Sequence, residues 1–294
     1  MKLKELADKF ANELTPLYDQ EEAKAIFLLI IEHYLKLNRS SYNFKKEEEL
    51  ADGDIKLLQL TLNQLKTGKP IQYILGETLF YGLPFKVNEA ILIPRPETEE
   101  LVAWVIEKIK DSESKTLTEN HQQLTILDIG TGSGCIAISL KKNLSGADVT
   151  ALDISSKALA IAKENAVLND VEVSFIEQDI LNTQYSILNT QYAILVSNPP
   201  YITETEKTQM HENVLANEPH LALFVSNEKP LIFYEAIADF ALKNLTNNGL
   251  LFFEINEYLG NETVQMLVDK GFNNIELRKD MQGKDRMICC NFTT

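Results

Sequence analysis

Cysteine and histidine, from which disulfides and many metal sites are built, are scarce in this sequence. The three cysteines are Cys135, Cys289 and Cys290. They form no CxxC pattern and no paired framework, which fits a reducing compartment, and we interpret them as core residues. The four histidines are scattered without the spacing of metal ligands: His33, His121, His211 and His220. We therefore expect no metal ion.

Long hydrophobic runs are also missing. The longest aliphatic run in the N-terminal part covers residues 26–31, whereas a membrane-spanning helix needs about 20 apolar residues. The first residues, 1–6, lack the apolar region of a signal peptide. We therefore expect a cytoplasmic protein that does not enter membranes.

Positive charge is scarce, and its shortage is uneven. The net charge is −15, and residues 1–75 contribute only −1 because 11 Lys and Arg stand against 12 Asp and Glu. Residues 76–294 contribute −14, with 17 against 31. Such a surface repels a long polyanion. We therefore expect no stable binding of nucleic acid, although charge alone does not exclude a nucleic-acid substrate.

The N-terminal part of the chain, residues 1–75, shows the period of helices. Apolar residues recur on one face in three successive stretches, and the last of these stretches ends at Gly68 and Pro70. Short polar connections predict a small helical bundle. The pattern leaves open whether this bundle docks a substrate or only stabilises the rest of the chain.

The helical period disappears from residue 71. Gly76, Gly82 and Pro84 interrupt an aromatic and β-branched stretch, which predicts a β-hairpin linker over residues 76–93. From residue 94 to residue 294 strands alternate with helices, and a hairpin comes last. This order indicates an α/β domain with a mostly parallel sheet and one antiparallel strand.

A glycine-rich turn follows the first strand of this second domain. The strand 124–129 leads into Gly130-Thr131-Gly132-Ser133-Gly134, and a helix begins at Cys135. Strand, turn and helix form the first half of a nucleotide-binding unit. The dinucleotide motif GxGxxG would need glycine at position 135, so the cysteine there disfavours NAD and FAD.

Two aspartates end the next two strands. Asp153 follows Gly130 by 23 residues, which is typical of an acidic residue that accepts both ribose hydroxyls. A helix cap shared with Ser155 and Ser156 is the alternative. Asp179 ends the following strand and should face the same crevice.

A tandem repeat follows Asp179. Residues 180–186 are repeated almost unchanged as 187–193, which we interpret as a lengthened surface loop without a function of its own.

The tetrapeptide Asn198-Pro199-Pro200-Tyr201 ends the apolar run 193–197. Two prolines cannot continue a central strand, and they stiffen the backbone at the end of a strand, where open α/β sheets place their ligands. The Asn198 side-chain oxygen and the Pro199 carbonyl are two fixed acceptors beside an aromatic ring. They suit a planar group with an NH2, while an ordinary proline-rich strand exit remains the alternative.

Together these segments carry a specific resemblance. The segment Ile93-Pro94-Arg95-Pro96-Glu97-Thr98-Glu99, the turn after Asp128, Asp153 and the tetrapeptide are similar to the HemK/PrmC family. Its members are S-adenosylmethionine-dependent protein-(glutamine N5) methyltransferases of peptide chain release factors. The resemblance implies a Rossmann-like, seven-stranded class I methyltransferase domain after a helical domain and a hairpin. It also implies S-adenosylhomocysteine as product, no metal and a monomer.

The resemblance also implies roles for individual residues. Gly130, Thr131, Gly132, Ser133 and Gly134 would wrap the methionine part of the cofactor, Asp153 would hold the ribose, and Asp179 with Ile180 would lie against the adenine. Asn198, which also borders the cofactor, would bind the substrate glutamine with Pro199, Pro200 and Tyr201. Asn198, Pro199 and Tyr201 would be the catalytic residues.

The chemistry of an amide agrees with this arrangement. An amide nitrogen is a poor nucleophile, and acceptors that bind its N–H groups favour the positive charge that develops on it during attack. No strong general base is needed, so we interpret Glu97 and Glu254 as capping or packing residues. The alternatives are a ribosomal-protein glutamine methyltransferase, an amino-methyltransferase of nucleic acid, and a non-catalytic protein with the same fold.

Overall fold

The structure is a computed structural model that describes residues 1–110, 124–182 and 190–292. Half of the tandem repeat, residues 183–189, lies outside these ranges, so its interpretation as a surface loop stays a prediction. No helix in the described ranges is long and apolar enough to cross a membrane. By their internal contacts the residues fall into two compact units, which we call the helical unit and the sheet unit.

The helical unit comprises residues 1–77 and 210–217. The described helices of the whole chain are α1 (Leu3–Leu14), α2 (Gln20–Leu35), α3 (Arg39–Lys45), α4 (Asp52–Leu65), α5 (Ile71–Leu75), α6 (Pro96–Lys110), α7 (Cys135–Asn143), α8 (Ser156–Leu168), α9 (Glu212–Asn217), α10 (Ile232–Asn244) and α11 (Gly260–Asp269). Helices α1–α5 and α9 lie in the helical unit. The side chain of Asn217 joins α9 to this unit, because its Nδ2 donates to the carbonyl of Gly68 at 3.1 Å.

The apolar faces predicted for the N-terminal helices form one core in the helical unit. Leu6, Phe10, Phe27 and Leu62 are among its buried members, and the rings of Phe10 and Phe27 meet edge to face at 5.1 Å. One prediction was wrong: the helical period does not end at residue 71. Helix α5 follows directly after Pro70, whose fixed φ suits a helix start, and it ends at Gly76 in the left-handed conformation.

The sheet unit comprises residues 78–209 and 218–294. The described strands of the chain are β1 (Glu77–Phe80), β2 (Leu83–Lys86), β3 (Thr125–Ile129), β4 (Asp148–Asp153), β5 (Ser174–Glu177), β6 (Tyr192–Ser197), β7 (Ile202–Thr203), β8 (Phe224–Val225), β9 (Leu245–Glu254), β10 (Asn273–Lys279) and β11 (Asp285–Asn291). Seven of them form the main sheet in the order β10-β11-β9-β6-β3-β4-β5. Strand β11 is antiparallel to both of its neighbours, β10 and β9, and the other neighbouring pairs of this sheet are parallel. The predicted α/β fold with one antiparallel strand is confirmed.

Both faces of the main sheet are covered, which explains why its central strands read as continuous apolar runs. All six residues of β6 are buried. Trp104 of α6 packs edge to face on Phe252 of β9 at 5.5 Å, and Tyr234 of α10 packs on Phe253 from the opposite face at 5.2 Å. The strand order reverses between β3 and β6, so the carboxyl ends of these two strands border a crevice.

Strands β1 and β2 form the predicted hairpin. Phe80 and Phe85 are buried and belong to the hydrophobic core of the sheet unit. The centroids of their rings lie 5.9 Å apart. Asn165 of α8 is fully buried and holds the backbone of Lys86 by two hydrogen bonds. Its Oδ1 accepts from the N–H of Lys86 at 2.7 Å, and its Nδ2 donates to the carbonyl of Lys86 at 3.0 Å. The hairpin is therefore a packed part of the sheet unit.

Candidate functional site

A cleft of about 250 Å³ opens at the carboxyl ends of the central strands. Eight of the residues that the sequence proposed for the site line it: Gly130, Gly132, Asp153, Asp179, Ile180, Asn198, Pro199 and Pro200. Residues that the sequence did not single out complete the wall, among them Leu92, Leu221, Phe233 and Ile237. The topological switch point therefore brings together the glycine turn, the two strand-end aspartates and the proline-rich strand exit.

The other four proposed residues lie outside the lining of the cleft. Thr131 and Ser133 are buried, and their hydroxyls bind within the turn: Thr131 Oγ1 donates to Asp128 at 2.6 Å, and Ser133 Oγ accepts from the N–H of Cys135 at 3.3 Å. Gly134 and Tyr201 also lie outside the lining. These four residues shape the site rather than form its surface.

The glycines of the turn differ in what surrounds them. Gly130 and Gly132 have φ of +76° and +54°, and a Cβ on either would meet no atom within 4 Å. Their backbone is therefore open to a ligand at close range. Gly134 also has positive φ, but a Cβ there would lie 2.9 Å from Ile138 and 3.2 Å from Ala162. Its small size lets α7 and α8 pack closely.

Asp153 joins the turn to the next helix. Its Oδ2 accepts from the N–H of Gly132 and its Oδ1 from the N–H of Ser155, both at 2.8 Å. The cap of α8 is Ser155, whose Oγ accepts from the N–H of Ala158 at 3.2 Å. Burial raises the pKa of Asp153, and the backbone hydrogen bonds oppose that rise. Each carboxylate oxygen keeps accepting capacity for a further donor from the cleft.

Asp128 is a buried carboxylate directly behind the turn. Its Oδ2 accepts from Thr131 Oγ1 at 2.6 Å and from the N–H of Ala137 at 3.2 Å. Within the described residues, its Oδ1 has no hydrogen-bond partner. Burial raises the pKa of Asp128 to about 7. The sequence signal for this residue was a charged side chain inside an otherwise apolar strand that enters a glycine turn.

The corner after β5 provides an apolar wall. Ile180 is buried and lines the cleft. Asp179 fixes the corner, since its Oδ1 accepts from the N–H of Leu181 at 2.8 Å. The backbone of this corner is also tied to the end of β4, because the N–H of Gln178 donates to the carbonyl of Asp153 at 3.0 Å.

The tetrapeptide after β6 is fixed at both ends. Ser197 Oγ donates to the carbonyl of Ile129 at 2.6 Å, which ties the end of β6 to the end of β3. Asn256 Nδ2 donates to the carbonyl of Tyr201 at 3.0 Å and also to the carboxylate of Glu206. The rigid prolines between these two anchors therefore hold a fixed backbone at the cleft.

A second buried carboxylate, Glu254 at the end of β9, lies behind the tetrapeptide. Its Oε2 accepts from Thr98 Oγ1 at 2.6 Å and its Oε1 from the Tyr201 hydroxyl at 3.1 Å. Asn198 Nδ2 in turn donates to Thr98 Oγ1 at 3.1 Å. Burial raises the pKa of Glu254, while the bonds from Thr98 and Tyr201 and the charge of Arg286 oppose that rise. From the sequence alone we interpret Glu254 as a capping or packing residue, and no role is predicted for Thr98.

The segment that contains Thr98 is anchored beside the cleft by an ion pair. Arg95 Nη2 donates to Glu218 Oε1 at 2.6 Å, and the N–H of Ile93 donates to the other oxygen of Glu218 at 3.3 Å. The side chain of Glu218 is only 2% exposed, so its two oxygens need donors from the protein. They set the path of the chain into α6, from whose first turn Thr98 points at Glu254.

Within the described ranges, no group of three or more His, Cys, Asp and Glu residues has the arrangement of a metal site.

Two family models match the chain. The PrmC N-terminal domain matches residues 5–76, and the methyltransferase small domain matches residues 107–223. A release factor glutamine methyltransferase of Flavobacterium psychrophilum is 51% identical over 99% of this chain and 100% of its own length. One of Bacteroides thetaiotaomicron is 43% identical over 95% of this chain and 96% of its own length.

Solved structures share the fold at much lower identity. The catalytic domain of hMettl16, in complex with the MAT2A 3′UTR hairpin 1, superposes with a TM-score of 0.54 at 14% identity. The match covers 99% of this chain and 91% of that chain. At this identity the likeness concerns the fold alone.

Proposed function

This chain belongs to the release factor glutamine methyltransferase family, and on that premise we propose what its cleft does. It transfers a methyl group from S-adenosylmethionine to the side-chain N5 of the glutamine in the Gly-Gly-Gln motif of peptide chain release factors. The resemblance to the HemK/PrmC family is confirmed by relatives that match almost the full chain. The observation that carries the proposal is that Asn198 lines the same cleft as Gly130 and Gly132.

The cleft fits S-adenosylmethionine, which supplies an electrophilic methyl group when bound. Gly130 and Gly132 leave open space beside their backbone, as a tightly bound methionine moiety requires. Asp153 would accept the ribose hydroxyls in addition to its two backbone donors. Ile180 and Asp179 would lie against the adenine, with Ile180 as the apolar surface. Thr131, Ser133 and Gly134 would support this cofactor site from behind.

The tetrapeptide would bind and orient the substrate amide. Asn198 Oδ1 and the Pro199 carbonyl would each accept one N–H bond from the glutamine side chain. These bonds fix the direction of the nitrogen and favour the positive charge that develops on it. Positioning of this kind can lower a barrier by roughly 7–11 kcal/mol in favourable systems. Pro200 keeps the loop rigid, and Tyr201, held by Glu254, would help to exclude water.

No residue has to remove a proton before the attack in this scheme. Once methylated, the amide nitrogen carries a positive charge and is strongly acidic, so it loses its proton readily. Asn198 and Pro199 therefore act by orientation and charge stabilisation, and Tyr201 acts by helping to exclude water.

The division of labour between domains is part of the proposal. Residues 1–75 would dock the substrate protein, residues 76–93 would link the domains through the hairpin, and residues 94–294 would carry out methyl transfer. The match of the PrmC N-terminal domain to residues 5–76 supports a specific protein substrate. We propose that the enzyme is a monomer that acts in the cytoplasm, where release factors work, without a metal.

The test is to incubate the protein with labelled S-adenosylmethionine and, separately, with release factors, ribosomal proteins and nucleic acid. Mass mapping should place one methyl group on the glutamine of the Gly-Gly-Gln motif. A release factor with Asn in place of that glutamine is the matched control and should stay unlabelled. Label on a ribosomal-protein glutamine or on nucleic acid, with release factors unlabelled, would overturn the proposal.

A further inference from the structure

We propose that Thr98 and Glu254 are positioning residues that turn the Asn198 side chain so that its oxygen, and not its NH2 group, faces the cleft. This inference deepens the proposed function and rests on it for its catalytic consequence. It starts from three side chains that are far apart in the sequence and consecutive in space: Asn198, Thr98 and Glu254.

The direction of the two hydrogen bonds follows from what each group can donate. An ionised carboxylate only accepts, whereas a hydroxyl has one proton and two lone pairs. Thr98 therefore uses its single proton on Glu254, at 2.6 Å, and its oxygen can only accept from Asn198, at 3.1 Å. The amide must present Nδ2 to Thr98, so Oδ1 points the other way.

The carboxylate at the end of this chain of bonds is itself held in place. Glu254 is 1% exposed, and its second oxygen accepts from the Tyr201 hydroxyl at 3.1 Å. Burial raises the pKa of Glu254, whereas the hydrogen bonds from Thr98 and Tyr201 and the charge of Arg286 act in favour of its ionised form. Arg286 is fixed in turn, since its Nε donates to Asp280 Oδ2 at 3.2 Å. Glu254 thus has a fixed position from which to orient Thr98.

The orientation matters because the two ends of an asparagine amide have nearly the same size and opposite hydrogen-bonding character. With Oδ1 in the cleft, Asn198 accepts from the NH2 of the substrate amide. With Nδ2 there, two donor groups would oppose each other, and the developing positive charge would lose its acceptor. Packing alone does not distinguish the two ends, whereas the bond to Thr98 does.

The first test removes the hydroxyl without changing the shape of the side chain. Thr98→Val should lower kcat about 10-fold or more, because valine cannot accept from Asn198 Nδ2 and the amide loses its fixed orientation. Affinity for S-adenosylmethionine, measured by calorimetry, should change less than about twofold. Thr98→Ser restores the hydroxyl and should recover most of the lost turnover.

We call the hydrogen bonds from Asn198 to Thr98 and from Thr98 to Glu254 the relay. A matched control replaces a buried threonine that lies outside this relay. Thr263 is fully buried in α11, where its Oγ1 donates to the carbonyl of Leu259 at 2.7 Å. Thr263→Val makes the same chemical change in the same unit and should leave kcat within about twofold. An equal loss of kcat in both valine variants would show a general effect of buried valine and would overturn the assignment of Thr98.

A double-mutant cycle tests whether Thr98 acts through Asn198. In an Asn198→Ala background, Thr98→Val should cost no further turnover, because no amide is left to orient. If the two losses multiply, Thr98 acts independently of Asn198 and the relay is wrong.

A measurement without substrate separates this inference from the proposed function. In protein labelled with 15N at asparagine, one Nδ2 proton of Asn198 should be protected from exchange in the wild type and should lose this protection in Thr98→Val. Rapid exchange of both protons in the wild type would overturn the relay, whatever the substrate. Protection in a protein that fails to methylate release factors would support the relay and refute only the proposed function.

Discussion

The two sides of the cleft each have a buried carboxylate behind them, and the two carboxylates are held in different ways. Asp128, behind the glycine turn, binds Thr131 and Ala137, which are 3 and 9 residues away in sequence. Glu254, behind the tetrapeptide, binds Tyr201 and Thr98, which are 53 and 156 residues away. The first side, which we call the cofactor side, is local in sequence. The second, which we call the acceptor side, is assembled from β9, the segment after β6 and the start of α6.

The two sides therefore depend on different parts of the fold. The glycine turn can reach its geometry once β3, β4, α7 and α8 have formed, because its hydrogen bonds in the described part of the chain stay within residues 128–165. The acceptor side needs the central sheet to be complete, because β6 and β9 must be paired before Tyr201 and Thr98 can reach Glu254. We therefore expect mutations on the two sides to separate into effects on cofactor binding and effects on turnover.

The largest expected effect is on the acceptor side. Asn198→Ala removes the amide oxygen, and kcat should fall about 10²–10³-fold, as happens when one preorganised group that stabilises transition-state charge is removed. Cofactor affinity should change only slightly. A comparable loss of cofactor affinity by calorimetry would show that Asn198 supports the cofactor, and the division of the cleft would be wrong.

On the cofactor side, Asp153→Ala should weaken binding of S-adenosylmethionine about 10- to 100-fold. It removes the proposed ribose acceptor, and hydrogen bonds to a charged group are worth roughly 1.5–3 kcal/mol each. It also frees the N–H groups of Gly132 and Ser155. Asp148→Ala is the matched control, because this exposed residue lies at the other end of the same strand. If Asp153→Ala bound S-adenosylmethionine with unchanged affinity, the proposed contact of Asp153 with the ribose would be wrong.

The same contrast explains what could be predicted from the sequence. The alternation of strands and helices, the terminal hairpin and the glycine turn depend on neighbouring residues, so periodicity and spacing reveal them. The acidic end of β4 at Asp153 was visible for the same reason. Even the error at α5 was local, since Pro70 and Gly76 enclose a helix of only five residues, too short for a period to show.

The roles of Thr98 and Glu254 could not be predicted in this way. Each looked ordinary in its own segment: Thr98 lies in the first turn of a helix, and Glu254 ends an apolar strand. Their bond joins residues 156 positions apart, and no pattern in a single sequence reports such a contact. A carboxylate buried at the end of a central strand was the only local signal, because it must find donors.

The buried carboxylate on the cofactor side, Asp128, should make the free energy of unfolding depend on pH. Burial raises the pKa of Asp128 from 3.8 to about 7, so between these values the folded state binds more protons than the unfolded state. Unfolding free energy should therefore fall as pH rises through this window. Relative to Asp128→Asn, the wild type should lose about 2 kcal/mol between pH 5 and pH 7, at about 1.4 kcal/mol per unit. Denaturant titrations of both proteins measure this, and a difference that does not vary with pH would contradict it.

The smallest effect is expected for Thr131, the counterpart of Thr98 on the cofactor side. Thr131 also donates its hydroxyl to a buried carboxylate at 2.6 Å, but it supports the turn that carries Gly130 and Gly132. Thr131→Val should weaken cofactor binding about 2- to 10-fold, the effect of one hydrogen bond, and should leave kcat at saturating cofactor unchanged. Thr98→Val should show the reverse pattern. If Thr131→Val instead lowered kcat at unchanged cofactor affinity, the hydroxyl on the cofactor side would also be orienting the substrate, and the two sides would not be separable.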